Sequence, residues 1–570
     1  MGDPDSSTRL DERSTGEARR LAARAHDVQP VLARLSQEQV DRIVAGMAET
    51  AAEHAEELAA AAVADTGFGV RADKVLKNLF AARTVYEFIR PLKTVGVLRR
   101  LRERRVVEIA EPFGVVAAIV PSTNPTSTAI YKLLVAMKAR CAIVLSPHPA
   151  AADCIERTTR LLEGAARSAG APAGAMACMR PVSVAGTQEL MRHPHVAVIL
   201  ATGGMGLVRA AYSAGKPAYG VGPGNAPAYI ERSADLDKAV RDIIAGKTFD
   251  NGLLCSSENS VVVDAAIAGE VRRRFEAHGG HFLNRRDADT LASVLITRQR
   301  LPHPDLVGRT AVEIAERAGL EAPAGTRALI ARLDGVGRDY PLSIEKLCPV
   351  LSFYVVEDWR EGCERCRQIL AYGGMGHTMA IHSRDDSVVM EFALRKPAFR
   401  IVVNTPATLG SIGMTTGLDP SMTLGCGGHG GNVTSDNISP RHLLNVKRLA
   451  YETRTAAQAA AELAARPPQD PDDPDRRAAP GPAGLDPRLV ADRVAALLDD
   501  PPGTVATDGP ASGPEPGGPV PAAGPPAQFV CEADVREAIR QSRRIVIGDR
   551  TIVTPAARDL AEPHGVFVKR

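Results

Sequence analysis

The sequence shows no excess of charge of either sign. Its 570 residues include 69 Lys and Arg against 67 Asp and Glu, a formal net charge of +2 at pH 7. Proteins that bind nucleic acid or anionic membranes through charge need a strong basic excess, so this balance argues against both classes. Hydrophobic residues make up 45% of the chain and charged residues 24%, which is typical of a soluble globular protein.

Long apolar runs and regularly spaced cysteines are missing as well. No stretch approaches the roughly 18 consecutive apolar residues of a membrane-spanning helix, and the polar N-terminus has no apolar signal core. The nine cysteines are an odd number at irregular spacing, which indicates a reducing compartment rather than a disulfide scaffold. We therefore expect a soluble cytoplasmic protein with no membrane partner and no nucleic-acid partner.

The order of helical and strand-like patterns indicates an α/β fold with two large lobes. Residues 1–30 are polar and alanine-rich, and we expect a leader that frays or forms a surface helix. A helical pattern follows over 31–90. Short apolar runs then alternate with helical stretches over 94–452, which is typical of a mostly parallel sheet with helices on both faces. The runs are Gly114–Val120, Cys141–Leu145, Val196–Leu200 and Ser260–Val263.

The C-terminal part has a different composition. Over residues 467–526, 24 of 60 residues are Pro or Gly, which predicts a disordered linker. Within it, residues 486–500 have the pattern of a short amphipathic helix, whose apolar face is expected to dock onto a partner because it has no core of its own. Residues 527–570 form a small tail module, in which Ile545–Ile547 and Thr551–Val553 are predicted to pair as a hairpin.

Cys255 is the strongest candidate nucleophile in the chain. It follows a helical stretch and lies in the small, polar segment Phe249–Asn259. A thiolate becomes reactive where backbone amides or a helix N-terminus lower its pKa. The alternative is a buried core thiol, which describes most cysteines.

Two other motifs carry less information. Cys363 and Cys366 form a single Cys-x-x-Cys without a second pair of ligands nearby, so no metal site is predicted. The segment Gly425–Gly430 satisfies Gly-x-Gly-x-x-Gly, but it has no preceding strand and no acidic residue about twenty positions further on. We interpret it as a flexible glycine loop near a binding site.

Six segments in a fixed order resemble the aldehyde dehydrogenase superfamily, and specifically its coenzyme A-acylating branch. That branch includes the aldehyde half of bifunctional aldehyde–alcohol dehydrogenases and the propanal and ethanal dehydrogenases of bacterial microcompartments. The resemblance covers residues 31–450. The segments are Glu111–Val116, Pro121–Pro125, Phe249–Ser260, Glu345–Val350, Gly376–Thr378 and Asn404–Pro406.

This resemblance implies an aldehyde dehydrogenase-like fold divided into domains. A Rossmann-type cofactor-binding domain is expected over residues 31–230, with an oligomerisation hairpin near 94–110. A catalytic α/β domain is expected over 231–425, and residues 426–452 return to the cofactor and oligomerisation elements. The resemblance also implies a homo-oligomer, either a dimer or a tetramer.

The resemblance further implies roles for individual residues. Cys255 matches the nucleophile that forms a thiohemiacetal and then a thioester, and Asn124 matches the side-chain amide that holds the oxyanion. Glu345 matches the carboxylate that binds the nicotinamide ribose. The rest of the cofactor site comprises the loop beneath the pyrophosphate, where N–H groups at a helix start favour an anion, and the adenosine side. These residues are Thr202, Gly203, Gly204, Gly206, Ser146 and Pro147.

Two departures from the hydrolytic members of the superfamily bear on the reaction. Val221 stands where those members carry the glutamate that activates water, and without a base water attacks a thioester slowly. A coenzyme A thiol can ionise and attack by itself, so the missing carboxylate favours acyl transfer to coenzyme A. The segment Ser146–Pro149 replaces a lysine that helps to bind the adenosine ribose or its phosphate. The acylating branch mostly uses NAD, which is the predicted cofactor, although NADP stays open.

These matches predict a stand-alone enzyme that converts a short-chain aldehyde, NAD and coenzyme A into acyl-CoA and NADH, with propanal and ethanal as leading candidates. An iron-dependent alcohol dehydrogenase half is not expected, because 44 residues follow the linker. Two alternatives are a hydrolytic dehydrogenase, disfavoured by Val221, and a catalytically inactive compartment scaffold. Because the linker and the helix at 486–500 resemble encapsulation peptides, shell proteins are possible partners and the lumen of a bacterial microcompartment is the expected location.

Overall fold

The computed structural model describes residues 4–465 and 527–569, apart from residues 531, 542, 554, 562 and 563. The linker predicted over 467–526 and its helix at 486–500 lie outside the described residues. The chain divides into two compact units, Met1–Ala461 and Glu462–Arg570. None of the helices in the described ranges is long and apolar enough to cross a membrane.

Helices and strands alternate along the first unit as the sequence patterns predict. The helices are α1 Pro4–Ala33, α2 Gln37–Glu53, α3 Ala55–Thr66, α4 Arg71–Leu79, α5 Val85–Ile89, α6 Pro125–Lys138, α7 Ala152–Ser168, α8 Val184–Arg192, α9 Met205–Tyr212, α10 Leu236–Thr248, α11 Ala265–Ala277, α12 Arg285–Leu295, α13 Ala311–Arg317, α14 Trp359–Gly373, α15 Asp386–Leu394, α16 Ala407–Ser411 and α17 Ala456–Ala465. The strands are β1 Gly96–Leu101, β2 Val106–Pro112, β3 Val115–Val120, β4 Ile143–Pro147, β5 Met176–Cys178, β6 Val196–Thr202, β7 Ala218–Val221, β8 Ala226–Ile230, β9 Glu258–Asp264, β10 Gly280–Leu283, β11 Ala328–Arg332, β12 Val350–Val356, β13 Gly376–His382, β14 Ala398–Val403 and β15 Leu444–Ala450.

The segment that was expected to fray or to form a surface helix forms helix α1, which packs onto the folded unit. One face of the helix is buried, and α1 packs against α8. The buried hydrophobic residues are Ala18, Leu21, Ala22, Ala25 and Leu32. They recur at helical spacing, but most are alanines, so the segment has little hydrophobic contrast and its buried face is weakly marked in the sequence.

Five parallel strands form the first sheet, in the order β5-β4-β3-β6-β7. Every residue of β3 is buried, as expected for an apolar strand covered on both faces. The chain leaves β3 toward β4 on one side and leaves β6 toward β7 on the other. The carboxyl ends of β3 and β6 therefore bound a topological switch point, where ligands bind in open α/β sheets.

Seven parallel strands form the second sheet, in the order β10-β11-β12-β9-β8-β13-β14. All residues of β9 and β13 are buried. Because β8 lies between β9 and β13, the amino ends of these three strands lie side by side at one edge. Four residues, Gly222–Asn225, connect β7 of the first sheet to β8 of the second.

A smaller antiparallel sheet completes the first unit, in the order β1-β2-β15. The hairpin of β1 and β2 occupies the segment where a hairpin was expected near residues 94–110. Strand β15 returns from the C-terminal side to pair with β2 along its length. Two parallel sheets and their surrounding helices confirm the predicted α/β fold class.

The second unit contains its own small parallel sheet. Strands β16 Ala527–Val530, β17 Ile545–Val553 and β18 Phe567–Lys569 pair in the order β16-β17-β18, with helices α18 Glu532–Arg540 and α19 Pro555–Ala561 between them in the chain. The predicted hairpin is therefore wrong, because residues 545–553 form one strand. The hydroxyl of Thr551 accepts from the Gly548 N–H at 2.9 Å and donates to the Ala527 carbonyl at 2.6 Å, which bridges the register shift between β16 and β17.

Candidate active site

A cavity of about 690 Å³ lies at the carboxyl ends of β3 and β6 and reaches the amino side of β9. It joins the switch point of the first sheet to the segment that contains Cys255. All nine site residues predicted from the sequence line this cavity, although they come from five separate segments of the two lobes. They are Cys255, Asn124, Thr202, Gly203, Gly204, Gly206, Glu345, Ser146 and Pro147.

Cys255 lies between a left-handed turn and β9. Asp250, Asn251 and Gly252 have φ angles of 48°, 53° and 73°. Such positive angles are uncommon for residues with a Cβ atom, which include Asp250 and Asn251. Asp250 accepts a hydrogen bond from the Val70 N–H at 2.6 Å, and its own N–H donates to Asp73 Oδ2 at 2.7 Å. These contacts hold the turn that leads the chain to the thiol.

Among the contacts of the described residues, the titratable side chain closest to the Cys255 thiol is His377 on strand β13. Its Nε2 atom lies 3.2 Å from Cys255 Sγ, and its Nδ1 atom lies 3.0 Å from Thr378 Oγ1. Burial, followed by the charge of Arg400, lowers the pKa of His377 to about 3. Burial, followed by the charge of Glu345, raises the pKa of Cys255 to about 12. The pair is therefore a neutral imidazole beside a thiol at neutral pH.

Asn124 immediately precedes helix α6 and presents its amide to the same space. Its Nδ2 atom donates to the Leu253 carbonyl at 3.3 Å, two residues before the thiol, and to Thr123 Oγ1 at 3.2 Å. Its Oδ1 atom accepts from Lys77 Nζ at 2.5 Å. When a thiol attacks a carbonyl group, negative charge develops on the carbonyl oxygen. An N–H donor such as Asn124 Nδ2, beside the Cys255 segment, can stabilise that oxyanion.

A buried ionic cluster lies behind Asn124 and the left-handed turn. Asp250 Oδ2 accepts from Lys74 Nζ at 3.0 Å and from Lys77 Nζ, and the three side chains are at most 2% exposed. Burial lowers the pKa of Lys77 to about 8, against the opposing charge of Asp250. The cluster connects α4 to the turn before the nucleophile.

Glu345 lies in the buried segment between β11 and β12. Burial raises the pKa of this carboxyl to about 8, while the N–H of Gly224, which donates to Oε1 at 3.1 Å, favours the carboxylate. Gly224 also lies against the thiol segment, since a Cβ atom there would be 2.1 Å from the Cys255 carbonyl oxygen. The link between the two sheets therefore touches both the nucleophile and the predicted ribose-binding carboxylate.

Comparison with known proteins agrees with this arrangement. The model described as the aldehyde dehydrogenase family matches residues 5–305. A crystal structure of an acetylating aldehyde dehydrogenase from Geobacillus thermoglucosidasius is 49% identical, covers 78% of this chain and 98% of its own, and superposes with a TM-score of 0.77. This chain belongs to the aldehyde dehydrogenase family.

Other members of the family share more distant or partial similarity. The bifunctional aldehyde–alcohol dehydrogenase of Escherichia coli strain K12 is 41% identical over 442 residues, which are 77% of this chain and 50% of the relative. This chain thus spans about half the length of the curated relatives it matches first. A propionaldehyde dehydrogenase from the fucose utilisation microcompartment of Clostridium phytofermentans is 27% identical, covers 76% of this chain and 97% of its own, and has a TM-score of 0.69. The predicted family resemblance is confirmed.

The part of the cavity that is predicted to bind the cofactor pyrophosphate fits a dinucleotide. Gly204 caps the start of α9, and Cβ atoms on Gly204 and Gly206 would meet nothing within 4 Å, so there is open space beside a helix start whose first N–H groups have no intrahelical acceptor. The hydroxyl of Thr202 is buried and has no hydrogen-bond partner among the described residues. On the adenosine side, Ser146 Oγ lies 2.7 Å from Thr187 Oγ1. The unpaired Thr202 hydroxyl and the glycine-lined start of α9 can form hydrogen bonds with the polar groups of a nicotinamide dinucleotide.

The position of the hydrolytic glutamate is apolar in this family member. Val221 ends β7, is 2% exposed and lines the cavity. The glycine loop Gly425–Gly430 lies elsewhere, packed against β13: a Cβ atom on Gly376 would be 1.9 Å from the Cys426 carbonyl oxygen. The loop is therefore next to the strand that carries His377.

Sequence reasoning did not assign a role to His377. The segment Gly376–Thr378 was recognised only as part of the family pattern, because a buried histidine in an apolar strand is more often a core residue than a base. His377 is distinguished from an ordinary core histidine by its contact with the thiol of Cys255, which lies 122 positions away in the chain. Lys77 was missed for a similar reason, since charged residues in an amphipathic helix are usually solvated.

Proposed function

We propose that this protein is an NAD-dependent, coenzyme A-acylating aldehyde dehydrogenase that converts a short-chain aldehyde to its acyl-CoA. The observation that carries the proposal is the 3.2 Å contact of His377 Nε2 with Cys255 Sγ, beside a cavity in which Val221 occupies the position predicted for the hydrolytic glutamate. The acetylating relative with 49% identity supports the same reaction class. Propanal and ethanal are the proposed substrates.

The first step is attack of the Cys255 sulfur on the aldehyde carbon. With the Nδ1 proton donated to Thr378 Oγ1, the lone pair of His377 Nε2 faces the thiol and takes its proton as the C–S bond forms. The carbonyl π electrons move to oxygen, and Asn124 Nδ2 together with the Cys255 backbone N–H stabilises the resulting oxyanion. The product of this step is a thiohemiacetal on Cys255.

Oxidation and acyl transfer complete the reaction. Bound NAD supplies the acceptor for the hydride that leaves the thiohemiacetal carbon. The Thr202–Gly206 segment and Glu345 hold the dinucleotide, with Ser146 and Pro147 on the adenosine side. His377 first releases to solvent the proton that it took from Cys255, which is the proton that the overall reaction produces. Its Nε2 atom then accepts the proton of the coenzyme A thiol as that sulfur attacks the thioester, and the departing Cys255 thiolate takes this proton back from His377. Val221 offers no base for water, which favours thiol attack over hydrolysis.

The direct test is NADH formation from propanal and NAD, with and without coenzyme A, followed by identification of the product. We expect turnover that depends on coenzyme A and yields propionyl-CoA, and none in a folded Cys255→Ala variant. Comparable turnover to free propionate without coenzyme A would instead assign the hydrolytic reaction. Activity in a folded Cys255→Ala variant would refute the proposed mechanism.

We also propose that the enzyme works as a homo-oligomer inside a bacterial microcompartment, carried there by residues 486–500. The amphipathic pattern of that segment and the microcompartment origin of the Clostridium relative support this location. Removing residues 467–570 should leave activity in solution intact and abolish co-purification with shell proteins. Retained co-purification would place the targeting signal elsewhere.

A further inference from the structure

The ammonium group of Lys77 lies between a carboxylate and the amide of Asn124. Lys77 belongs to α4 and is 1% exposed. Its Nζ atom donates to Asn124 Oδ1 at 2.5 Å and to Asp250 Oδ2. The proposed function uses Asn124 but gives Lys77 no task.

An ammonium group has three N–H donors and no acceptor, so the amide atom that it contacts must be the carbonyl oxygen. Fixing Oδ1 against Lys77 turns Nδ2 toward the Leu253 carbonyl at 3.3 Å and the cavity. An isolated carboxamide has nearly the same shape in both orientations. The flipped orientation would present a lone pair to the oxyanion and repel it.

We propose that Lys77 is a positioning residue for the oxyanion donor: held by Asp250, its ammonium fixes Asn124 Oδ1 so that Nδ2 faces the reacting carbonyl oxygen. This inference rests on the proposed function, because it assumes that Asn124 stabilises the oxyanion. Lys77 itself does not touch the substrate in this scheme.

The carboxylate that holds Lys77 is fixed on several sides. Asp250 accepts from the Val70 N–H at 2.6 Å, and Lys74 Nζ binds the same Oδ2 atom at 3.0 Å. Gly69 leaves room for it, since a Cβ atom there would lie 2.0 Å from Asp250 Oδ1. Asp250 also belongs to the left-handed turn before Cys255. The Asp250 carboxylate therefore helps to fix both the turn before Cys255 and, through Lys77, the amide of Asn124. Such fixed positions before the reaction are what electrostatic preorganisation requires.

Protonation of Lys77 is part of this arrangement. The charged and polar groups that face it are Asp250 from the turn, Asn124 from the start of α6, and Asp73 and Lys74 from its own helix. Burial lowers the pKa of Lys77 to about 8. A neutral amine can accept as well as donate a hydrogen bond, so the amide orientation is fixed below this pKa and is lost as the pH rises through it.

A double-mutant cycle tests the inference. Lys77→Met removes the donor, and we expect kcat/KM for propanal to fall on the order of tenfold to a hundredfold with KM for NAD unchanged. In the Asn124→Ala background the same substitution should cause no further loss, because Lys77 acts through Asn124. Lys74→Met is the comparison: it removes the other cation from Asp250 but leaves the contact of Lys77 with Asn124 Oδ1 in place, so its loss of kcat/KM should be smaller than that of Lys77→Met.

Two results would overturn the inference: an equal loss from Lys77→Met with and without Asn124, or no loss of kcat/KM in folded Lys77→Met. If Lys77→Met does not fold, Lys77→Arg supplies the readout, because an arginine stays charged. Activity of the parent enzyme relative to Lys77→Arg should then fall as the pH rises through about 8, and a constant ratio contradicts the proposal. Full activity in Asn124→Ala would instead refute the proposed role of Asn124.

Discussion

His377 Nε2 lies 3.2 Å from Cys255 Sγ, although the two residues are 122 positions apart in the chain. They meet because Cys255 precedes β9 and His377 is the second residue of β13, and these two strands flank β8 in one parallel sheet. Burial keeps the imidazole unprotonated and the thiol protonated at neutral pH. In the proposed mechanism the thiolate forms by proton transfer within this pair as the aldehyde reacts.

Replacing His377 with alanine should lower kcat about 10²-fold to 10⁴-fold, the usual contribution of a general base. The measurement is steady-state NADH formation from propanal with coenzyme A. His382→Ala is the matched control, because His382 is also buried on β13 but makes no contact with Cys255 among the described residues. This control should lose stability more than turnover, and a His377→Ala enzyme with unimpaired kcat would eliminate the proposed base.

Alkylation of Cys255 in the absence of substrate and cofactor should follow the fraction of thiolate. Burial raises the pKa of this thiol to about 12, so the rate should rise about tenfold for each pH unit through the neutral and mildly alkaline range without a plateau. Iodoacetamide inactivation, with mass spectrometry to confirm the modified residue, measures this rate. A plateau near pH 8 would show that the protein lowers the pKa of the thiol instead.

A carboxylate at position 221 should open a hydrolytic route. In Val221→Glu we expect coenzyme A-independent release of acid to increase by about tenfold or more, since a base can then activate water. Burying the new side chain should also lower the free energy of unfolding by about 2 kcal/mol or more. Val221→Gln has nearly the same shape without the base, so an equal gain in that variant would show that space, rather than basicity, admits water.

Gly224→Ala should impair catalysis through a direct steric effect. The added Cβ atom would lie 2.1 Å from the Cys255 carbonyl oxygen and 3.1 Å from His377 Cγ, so the nucleophile or the base has to move. A displacement of about 1 Å can reduce turnover about a hundredfold. Gly373→Ala provides the comparison, because its nearest contact is an ordinary 3.6 Å from Ile344 Cγ1. Similar turnover in both variants would argue that the Gly224 site can relax.

Local patterns predicted much of the fold. Val115–Val120 could be assigned to a strand buried on both faces because the run is apolar throughout, and its place before the Asn124 turn located one edge of the cavity. The nine predicted site residues all line one cavity. They could be identified from the sequence because each belongs to a short local motif and the motifs occur in a fixed order. Their individual roles stay predictions.

Features that depend on distant partners could not be predicted. The residues 548–550 favour a turn locally, but β17 has parallel neighbours on both sides, so the segment continues as one strand. Pairing direction is set by where β16 and β18 lie rather than by the turn residues. Likewise, the ionic cluster of Lys77 and Asp250 forms between side chains 173 positions apart. No local pattern distinguishes a buried lysine of this kind from a solvated one.

The four-residue link Gly222–Asn225 constrains how such an enzyme can be recombined. A chimaera that exchanges one lobe with that of a relative needs two junctions, because the chain returns to the first lobe after β14, and one of them falls at this link, beside Cys255 and Glu345 rather than in a neutral surface loop. The link and the thiol segment must then come from the same parent for the two chains to fit. The nucleophile and the passage between lobes are therefore inherited as one block, and cofactor preference is more readily transferred by exchanging residues within the first lobe than by exchanging the lobe itself.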